Sequence, residues 1–439
     1  MFFSASFYGV RLYGEKKLYN EDLMTIKEIL CVVGTRPEAI KVAPVIAALR
    51  ADTDSFRVRV LATAQHREML DQILEVFSIV PDTDLDLMRP GQDLNNLAGR
   101  VLIGVNDYLA ENPVDIVLAQ GDTTTVMAAA MVCFHNLIPF GHIEAGLRTG
   151  DLSAPFPEEF NRKIAALAAG YNFAPTKGAA KNLIREGISP DSIFLTGNTV
   201  IDALFDILNR TDPPIKPVPA GQPYVLMTCH RREIFGRPIR EVFETVRDYF
   251  SLHREISLWY PVHPNPEVSQ PAHEILSGIP NIVLSGPLDY IAFSHAMKGA
   301  KLLLSDSGGV QEEAPALGKP VLVLRDLTER PEGVEAGTCL LVGPHRERIE
   351  AGLDRLLYDS QEYDRMARAR NPYGDGKAAD RIVAVLKGEE FEPWEGWEGK
   401  GSYKCLKCAK VPKVVALDLE ARRRDEVARK SRRKRQLST

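Results

Sequence analysis

The sequence contains no run of about 18 uncharged apolar residues, the length a helix needs to cross a bilayer. Its first residues, Met1-Phe2-Phe3-Ser4-Ala5-Ser6-Phe7, lack the basic start and long apolar core of a secretory signal. Cysteine is scarce, at six in 439 residues. Four of the six (Cys31, Cys133, Cys229, Cys339) stand singly within apolar patterns, as expected of buried free thiols in a reducing cytoplasm. Cys405 and Cys408 have the spacing of half a zinc ribbon, but a structural zinc needs four ligands and no second pair follows.

What is present is the composition of a soluble enzyme: 45% hydrophobic, 26% charged, net charge −5. The charge is unevenly spread. Residues 399–439 carry 14 Lys and Arg against 4 Asp and Glu, whereas the whole chain has 54 and 59. The body is therefore acidic and the tail basic. An acidic body would repel a polyanion, so nucleic acid is not an expected partner.

Apolar runs of strand length alternate with helical patterns, which predicts an α/β chain with parallel sheets. Strands are expected at 29–33, 58–62, 116–120, 138–142, 171–174 and 193–196, then at 224–228, 258–262, 282–284, 302–305, 321–324 and 340–342. Helices are expected at 43–49, 68–76, 94–109, 124–134 and, last, 378–386. Between the two sets lies Asp212-Pro213-Pro214-Ile215-Lys216-Pro217-Val218-Pro219, a linker by composition. The expected organisation is two doubly wound, Rossmann-like domains at 24–210 and 223–390, with the linker at 211–222 and a ligand cleft between them. Residues 1–23 are expected to be an extension or a mis-called start, with Met24 as the natural initiator, and 391–439 a basic tail outside the fold.

Residues 142–162 carry the densest chemistry. Glu144 should emerge at the C-terminal end of a buried strand, where open α/β sheets bind ligands. Glu158 and Arg162 are four apart and so share a helix face. Carboxylates and guanidiniums converging here suit proton transfer beside an anionic substrate. Gly34-Thr35-Arg36-Pro37-Glu38 forms the first strand-to-helix turn, with Arg36 and Lys41 as fixed cations. It is not a G-x-G-x-x-G fingerprint, which favours a nucleoside diphosphate over a dinucleotide. Asp122, in Gln120-Gly121-Asp122-Thr123, occupies a similar turn as either a cleft carboxylate or a helix cap. In the second half, Thr228-Cys229-His230-Arg231-Arg232-Glu233 ends a strand with a His and two Arg. Ser305-Asp306-Ser307-Gly308-Gly309-Val310-Gln311-Glu312-Glu313 opens a Gly-rich helix. Backbone N–H groups and the Ser307 hydroxyl there suit a diphosphate, and Glu313 suits ribose hydroxyls.

Taken in order, GTRPEAIKVAPV, TAQHREMLDQ, QGDTTT, HIEAGLRTGD, PEEFNR, GNTVID, HRRE, VHPNP, SDSGGVQEEAPALGKPVLVLR and TERPEG resemble the non-hydrolysing UDP-N-acetylglucosamine 2-epimerases from about Met24 to Leu386. The resemblance implies a GT-B architecture, a homodimer, and no metal or organic cofactor. It implies interconversion of UDP-GlcNAc and UDP-ManNAc by anti elimination of UDP to 2-acetamidoglucal and readdition. By motif match, Asp122, Glu144 and Glu158 form the acid/base set, supported by Arg162 and His230. UDP contacts fall on Arg36, Lys41, His230, Ser307, Gly308, Gly309, Glu313 and Arg330. Gln65, His66 and Arg67 match part of a second, activating UDP-GlcNAc site, although Gly91 stands where some activator-dependent relatives carry arginine. Phe160 and Ile234 depart from the family pattern and are expected to adjust the pocket. Three other readings compete: epimerisation of a UDP-2,3-diacetamido uronic acid, hydrolysing epimerisation that releases ManNAc, and GT-B glycosyl transfer, which the two-domain fold and Glu313 permit but which has no use for the Glu144/Glu158 pair.

Overall fold

A computed structural model describes residues 26–394, apart from 64–66, 88, 90, 92, 154, 215, 216, 220 and the side chains of 67–69. Gln65 and His66, the Arg67 side chain, the Cys405–Cys408 pair and both termini therefore lie outside the described residues.

The chain builds two parallel sheets. The first contains β1 (Lys27–Val33), β2 (Phe56–Ala62), β3 (Thr83–Asp84), β4 (Ile116–Gln120), β5 (Phe140–Ile143), β6 (Tyr171–Ala174) and β7 (Ile193–Leu195), in the order β3-β2-β1-β4-β5-β6-β7. The second contains β8 (Tyr224–Thr228), β9 (Ser257–Pro261), β10 (Ile282–Ser285), β11 (Leu302–Ser305), β12 (Val321–Val323) and β13 (Cys339–Leu341), ordered β10-β9-β8-β11-β12-β13. Every strand pair is parallel. Helices cover both faces, which is why central strands such as Ile116–Gln120 and Leu302–Ser305 are buried end to end.

Strand order reverses direction between β1 and β4 in the first sheet, and between β8 and β11 in the second. The crevice beyond such a reversal is where ligands reach an open sheet. The Gly34–Glu38 and Gly121–Thr123 turns leave β1 and β4, and the His230 and Asp306 segments leave β8 and β11. Both sheets thus present their polar motifs at the two reversal points.

The helix Thr199–Arg210 serves both halves. Val200, Ile201, Ala203 and Ile207 join the core that contains β1 and β2, whereas Leu204 and Leu208 join the core around Trp259 and Leu303. The last helix, Ala378–Lys387, was assigned by sequence to the second domain, but Ile382, Val385 and Leu386 pack into the first domain's core. Its N-terminus has no cap of its own, and the Asp202 carboxylate, from the helix Thr199–Arg210, accepts the Ala379 N–H at 2.8 Å. Trp394 then closes over this junction: its backbone N–H donates to Leu195 O at 2.9 Å and its indole to Pro372 O at 3.2 Å. Of the two departures from the family pattern, Ile234 is buried in the core beneath β8 and Phe160 is about half exposed on the helix that carries Glu158 and Glu159. Cys31, Cys133, Cys229 and Cys339 are free and buried.

Candidate functional site

The β1 turn is shaped by close packing. A Cβ on Gly34 would stand 2.6 Å from Thr125 Oγ1 and 2.7 Å from Thr63 Oγ1, so only glycine fits. The helix Arg36–Ala51 starts at Thr35, and Glu38, three residues on, folds back over the turn. Its carboxyl accepts the Gly34 N–H at 2.7 Å and the Thr35 hydroxyl at 3.0 Å. Burial pushes the Glu38 carboxyl up to about 7, against hydrogen bonds from Thr123, Gly34 and Thr35. The motif match did not single out Glu38, because its role appears only when the turn is folded.

Asp122 and Glu144 emerge side by side. Gln120 and Ile143 pair across β4 and β5, and the two carboxylates follow within two residues. Glu144 adopts φ +66°, a left-handed conformation that costs a non-glycine residue roughly 1 kcal/mol or more and recurs at functional sites. Its carboxylate is in direct contact with Lys41, and burial raises its pKa against the pull of that ammonium.

Arg162 meets Asp122 Oδ2 at 2.5 Å and Glu159 Oε2 at 3.5 Å. Glu159, not the expected Glu158, is thus its partner on the helix Glu158–Ala168. A step of one residue turns a side chain by about 100°, and here it turns Glu159 inward. The fully buried Glu159 also accepts the Thr149 and Gly150 N–H groups, at 3.1 and 3.2 Å. Glu158 Oε2 is buried with no hydrogen-bond partner among the described residues, which leaves it free for a ligand. His142 is buried on β5 and binds the Gly121 carbonyl at 2.7 Å. Burial holds its pKa down at about 4, so the ring stays neutral and steadies the turn that carries Asp122.

The second sheet supplies cations and a Gly-rich helix start. Ser307 precedes the helix Gly308–Ala316, and the Arg330 guanidinium lies 3.3 Å from where a Gly308 Cβ would stand. Arg330 Nε binds Glu312 Oε1 at 2.8 Å, and Glu312 Oε2 lies 3.6 Å from Lys41 Nζ. Asn198 adds an amide to Glu312 Oε2 at 3.3 Å. Glu313 is pushed up to about 8, first by burial and then by neighbouring Glu312, and Tyr290 OH donates to it at 3.5 Å. Arg36 is exposed at the mouth of the same turn, its charge acting on Glu313. Thr176 on the first sheet's side donates to Glu332 Oε1 at 2.8 Å. Glu312 and Glu332 thus tie the two halves across the site. His230, two residues past β8, is held by Asp306 through its backbone N–H and stacks on His263 with ring centroids 5.3 Å apart.

Two facing α/β units, with a cluster of carboxylates on one and a Gly-rich helix start with arginine and histidine on the other, define the class: a GT-B-type enzyme built for a nucleotide-linked substrate. The family model described as UDP-N-acetylglucosamine 2-epimerase matches residues 47–387. The UDP-N-acetylglucosamine 2-epimerase of Yersinia pestis is 50% identical over 373 residues, 83% of this chain and 99% of the relative. That of Escherichia coli (strain K12) is 50% identical over 370 residues, 82% and 98% respectively. The crystal structure of UDP-GlcNAc 2-epimerase from Neisseria meningitidis bound to UDP-GlcNAc superposes with a TM-score of 0.75 at 42% identity, covering 82% of this chain and 99% of that one. The chain belongs to the UDP-N-acetylglucosamine 2-epimerase family, carbohydrate isomerases.

Proposed function

We propose that the chain interconverts UDP-GlcNAc and UDP-ManNAc by elimination and readdition of UDP. The C2 proton of the intact sugar is not acidic, so it leaves only as the C1–O bond to UDP breaks. A carboxylate takes the C2 proton, UDP departs with the bonding pair, and 2-acetamidoglucal remains bound. Readdition forms the C1–O bond again while a proton reaches C2 from the opposite face.

One observation supports this reading above the others: Lys41 joins Glu144 on the first sheet to Glu312 and, through it, Arg330 on the second. A proton-transfer group is thereby held against cations suited to the departing diphosphate. Asp122, Glu144 and Glu158 are the acid/base set. Arg162 orients Asp122, and His230, Arg36, Lys41, Ser307, Gly308, Gly309, Glu313 and Arg330 hold UDP. The raised pKa of Glu144, caused first by burial, suits a group that exchanges a proton with substrate. Activation by a second UDP-GlcNAc at Gln65, His66 and Arg67 rests on the motif match alone, and sigmoidal rate curves in UDP-GlcNAc would test it.

The homodimer belongs to the same reading. Ile103, Phe134, Leu137 and Leu167 are each at least 60% exposed on three adjacent helices, Leu94–Glu111, Thr124–His135 and Glu158–Ala168, or just beyond them. Such an apolar face suits a second copy. The four free thiols fit a cytoplasmic setting. Among the described residues no helix is long and apolar enough to cross a membrane.

Chromatography of UDP-GlcNAc after incubation with the chain is the direct test. A mixture of the two UDP-sugars is expected. Free ManNAc with UDP would assign it to hydrolysing epimerisation, and unchanged UDP-GlcNAc would point to another nucleotide sugar.

A further inference from the structure

Asp306 is fully buried at the end of β11, and nothing in the motif match gives it a role. Ser305 of β11 pairs with Thr228 of β8, so Asp306 stands one residue past that pair and His230 two residues past it. The two segments are laced together. Asp306 N–H donates to Thr228 O at 3.2 Å, the Thr228 and Ser305 hydroxyls meet at 2.6 Å, and Tyr260 OH donates to Cys229 O at 2.8 Å.

The two carboxylate oxygens of Asp306 have different work. Oδ2 accepts the backbone N–H groups of His230 and Arg231 at 2.6 and 2.7 Å, which staples the turn. Oδ1 is buried without a hydrogen-bond partner among the described residues and lies 3.6 Å from His230 Nδ1. That gap is a few tenths of an ångström beyond a hydrogen bond, and catalytic contacts commonly tighten only when ligand binds. A buried carboxylate oxygen left unpaired is costly, and the imidazole is the donor within reach.

We propose that Asp306 is a positioning residue for His230: its Oδ1 accepts a hydrogen bond from the Nδ1–H of the imidazole, which keeps the proton on Nδ1 and leaves the Nε2 lone pair to work on the nucleotide sugar. A carboxylate on one ring nitrogen fixes the tautomer and steadies the ring, as behind metal-bound and catalytic histidines. The ring's other face is already held by the stack on His263, whose own Nδ1 accepts the Asn265 N–H at 3.1 Å. The charged and titratable groups that act on His230 are Asp306, His263, Arg231 and Glu233. Burial holds the His230 pKa below its ordinary value; Asp306 and Glu233 favour the protonated ring, whereas His263 and Arg231 act with burial against it.

The inference rests on the proposed reaction only for its kinetic arm, because the tautomer can be read in the ligand-free protein. Nitrogen-15 NMR of His230 in the unmodified full chain should find the neutral ring protonated at Nδ1; protonation at Nε2 would overturn the proposal without any variant. Asp306→Asn keeps an oxygen for the two backbone N–H groups but turns an amide donor toward Nδ1. It should move the ring proton to Nε2 and lower the titration midpoint by about one unit. An unchanged tautomer and midpoint would overturn the proposal.

In steady-state assays with UDP-GlcNAc, Asp306→Asn should lower kcat by about 10-fold or more and leave UDP affinity within about threefold. In a His230→Asn background the same change should cost less than about threefold, since residues acting through one another are not additive. Equal losses in both backgrounds would make Asp306 a backbone staple only. A chain inactive on UDP-GlcNAc yet showing the Nδ1–H tautomer would overturn the reaction and not the dyad.

Discussion

Lys41 Nζ is in direct contact with the Glu144 carboxylate and lies 3.6 Å from Glu312 Oε2, so one ammonium joins a carboxylate of each sheet. All three groups are nearly buried, and an unpaired charge there would be costly. Replacing Glu144 by Gln should lower turnover by about a thousandfold, within the range for loss of a positioned acid or base. UDP affinity, measured by calorimetry, should stay within about threefold, because a group used only in proton transfer adds little ground-state binding. A loss of affinity as large as the loss of rate would make Glu144 a binding group.

Removing Lys41 separates the two functions of the bridge. Lys41→Met takes away both a diphosphate cation and the charge that restrains the Glu144 pKa. UDP should bind at least about tenfold more weakly. The carboxylate limb of the kcat profile should move to higher pH, since burial and the nearby Glu312 charge then raise the Glu144 pKa against Arg330 alone. A profile unchanged from the parent would show that the ammonium does not control Glu144 during turnover.

Glu38 gives the fold a pH dependence of defined sign. Its folded pKa, about 7, lies above the ordinary carboxyl value of 4.5, so the folded state holds the proton more tightly. That contribution is fully present below pH 4.5 and is lost as pH rises through 7. Glu38→Gln, permanently neutral, should reduce the fall in Tm between pH 5 and 8 by an amount on the order of 2 kcal/mol in stability. Thermal unfolding at the two pH values measures it; parallel falls in both proteins would contradict the assignment.

Trp394 makes the far end of the fold testable. Its indole packs 3.5 Å from where a Gly197 Cβ would stand, and it is 7% exposed. A chain ending at residue 398 should keep kcat/KM within about twofold of the full length, as expected of changes remote from the site. One ending at residue 390 should lose about 3 kcal/mol, the scale of deleting a buried tryptophan. Urea unfolding of both truncations, with activity per folded molecule, decides between them.

Much of this was legible beforehand. The strands at 116–120, 171–174, 224–228 and 302–305 match the sequence reading to the residue, because each is a mainly apolar run of strand length bounded by turn residues. β5 begins at Phe140, two residues late, because Leu137 adopts φ +56° and Pro139 has no N–H to give the ladder. β3, only two residues long at the sheet edge, carries no apolar pattern to read. The candidate site residues came from motifs that resemble the epimerase family, several of them at strand ends, where open α/β sheets bind ligands. Glu38, Asp306 and Glu312 escaped because their roles are set by burial and by partners up to 271 positions away, as in Lys41–Glu312. Glu159 and Glu158 are adjacent acids at a helix start, and only the packed structure decides which one turns inward.

The reaction itself is tested most directly by incubating the chain with UDP-GlcNAc in D₂O and following the proton NMR spectrum. Removal of the C2 proton by a carboxylate predicts UDP-ManNAc with deuterium at C2, and deuterium appearing in the recovered UDP-GlcNAc. UDP-ManNAc that keeps its original C2 proton would contradict the elimination mechanism and the acid/base roles of Asp122, Glu144 and Glu158.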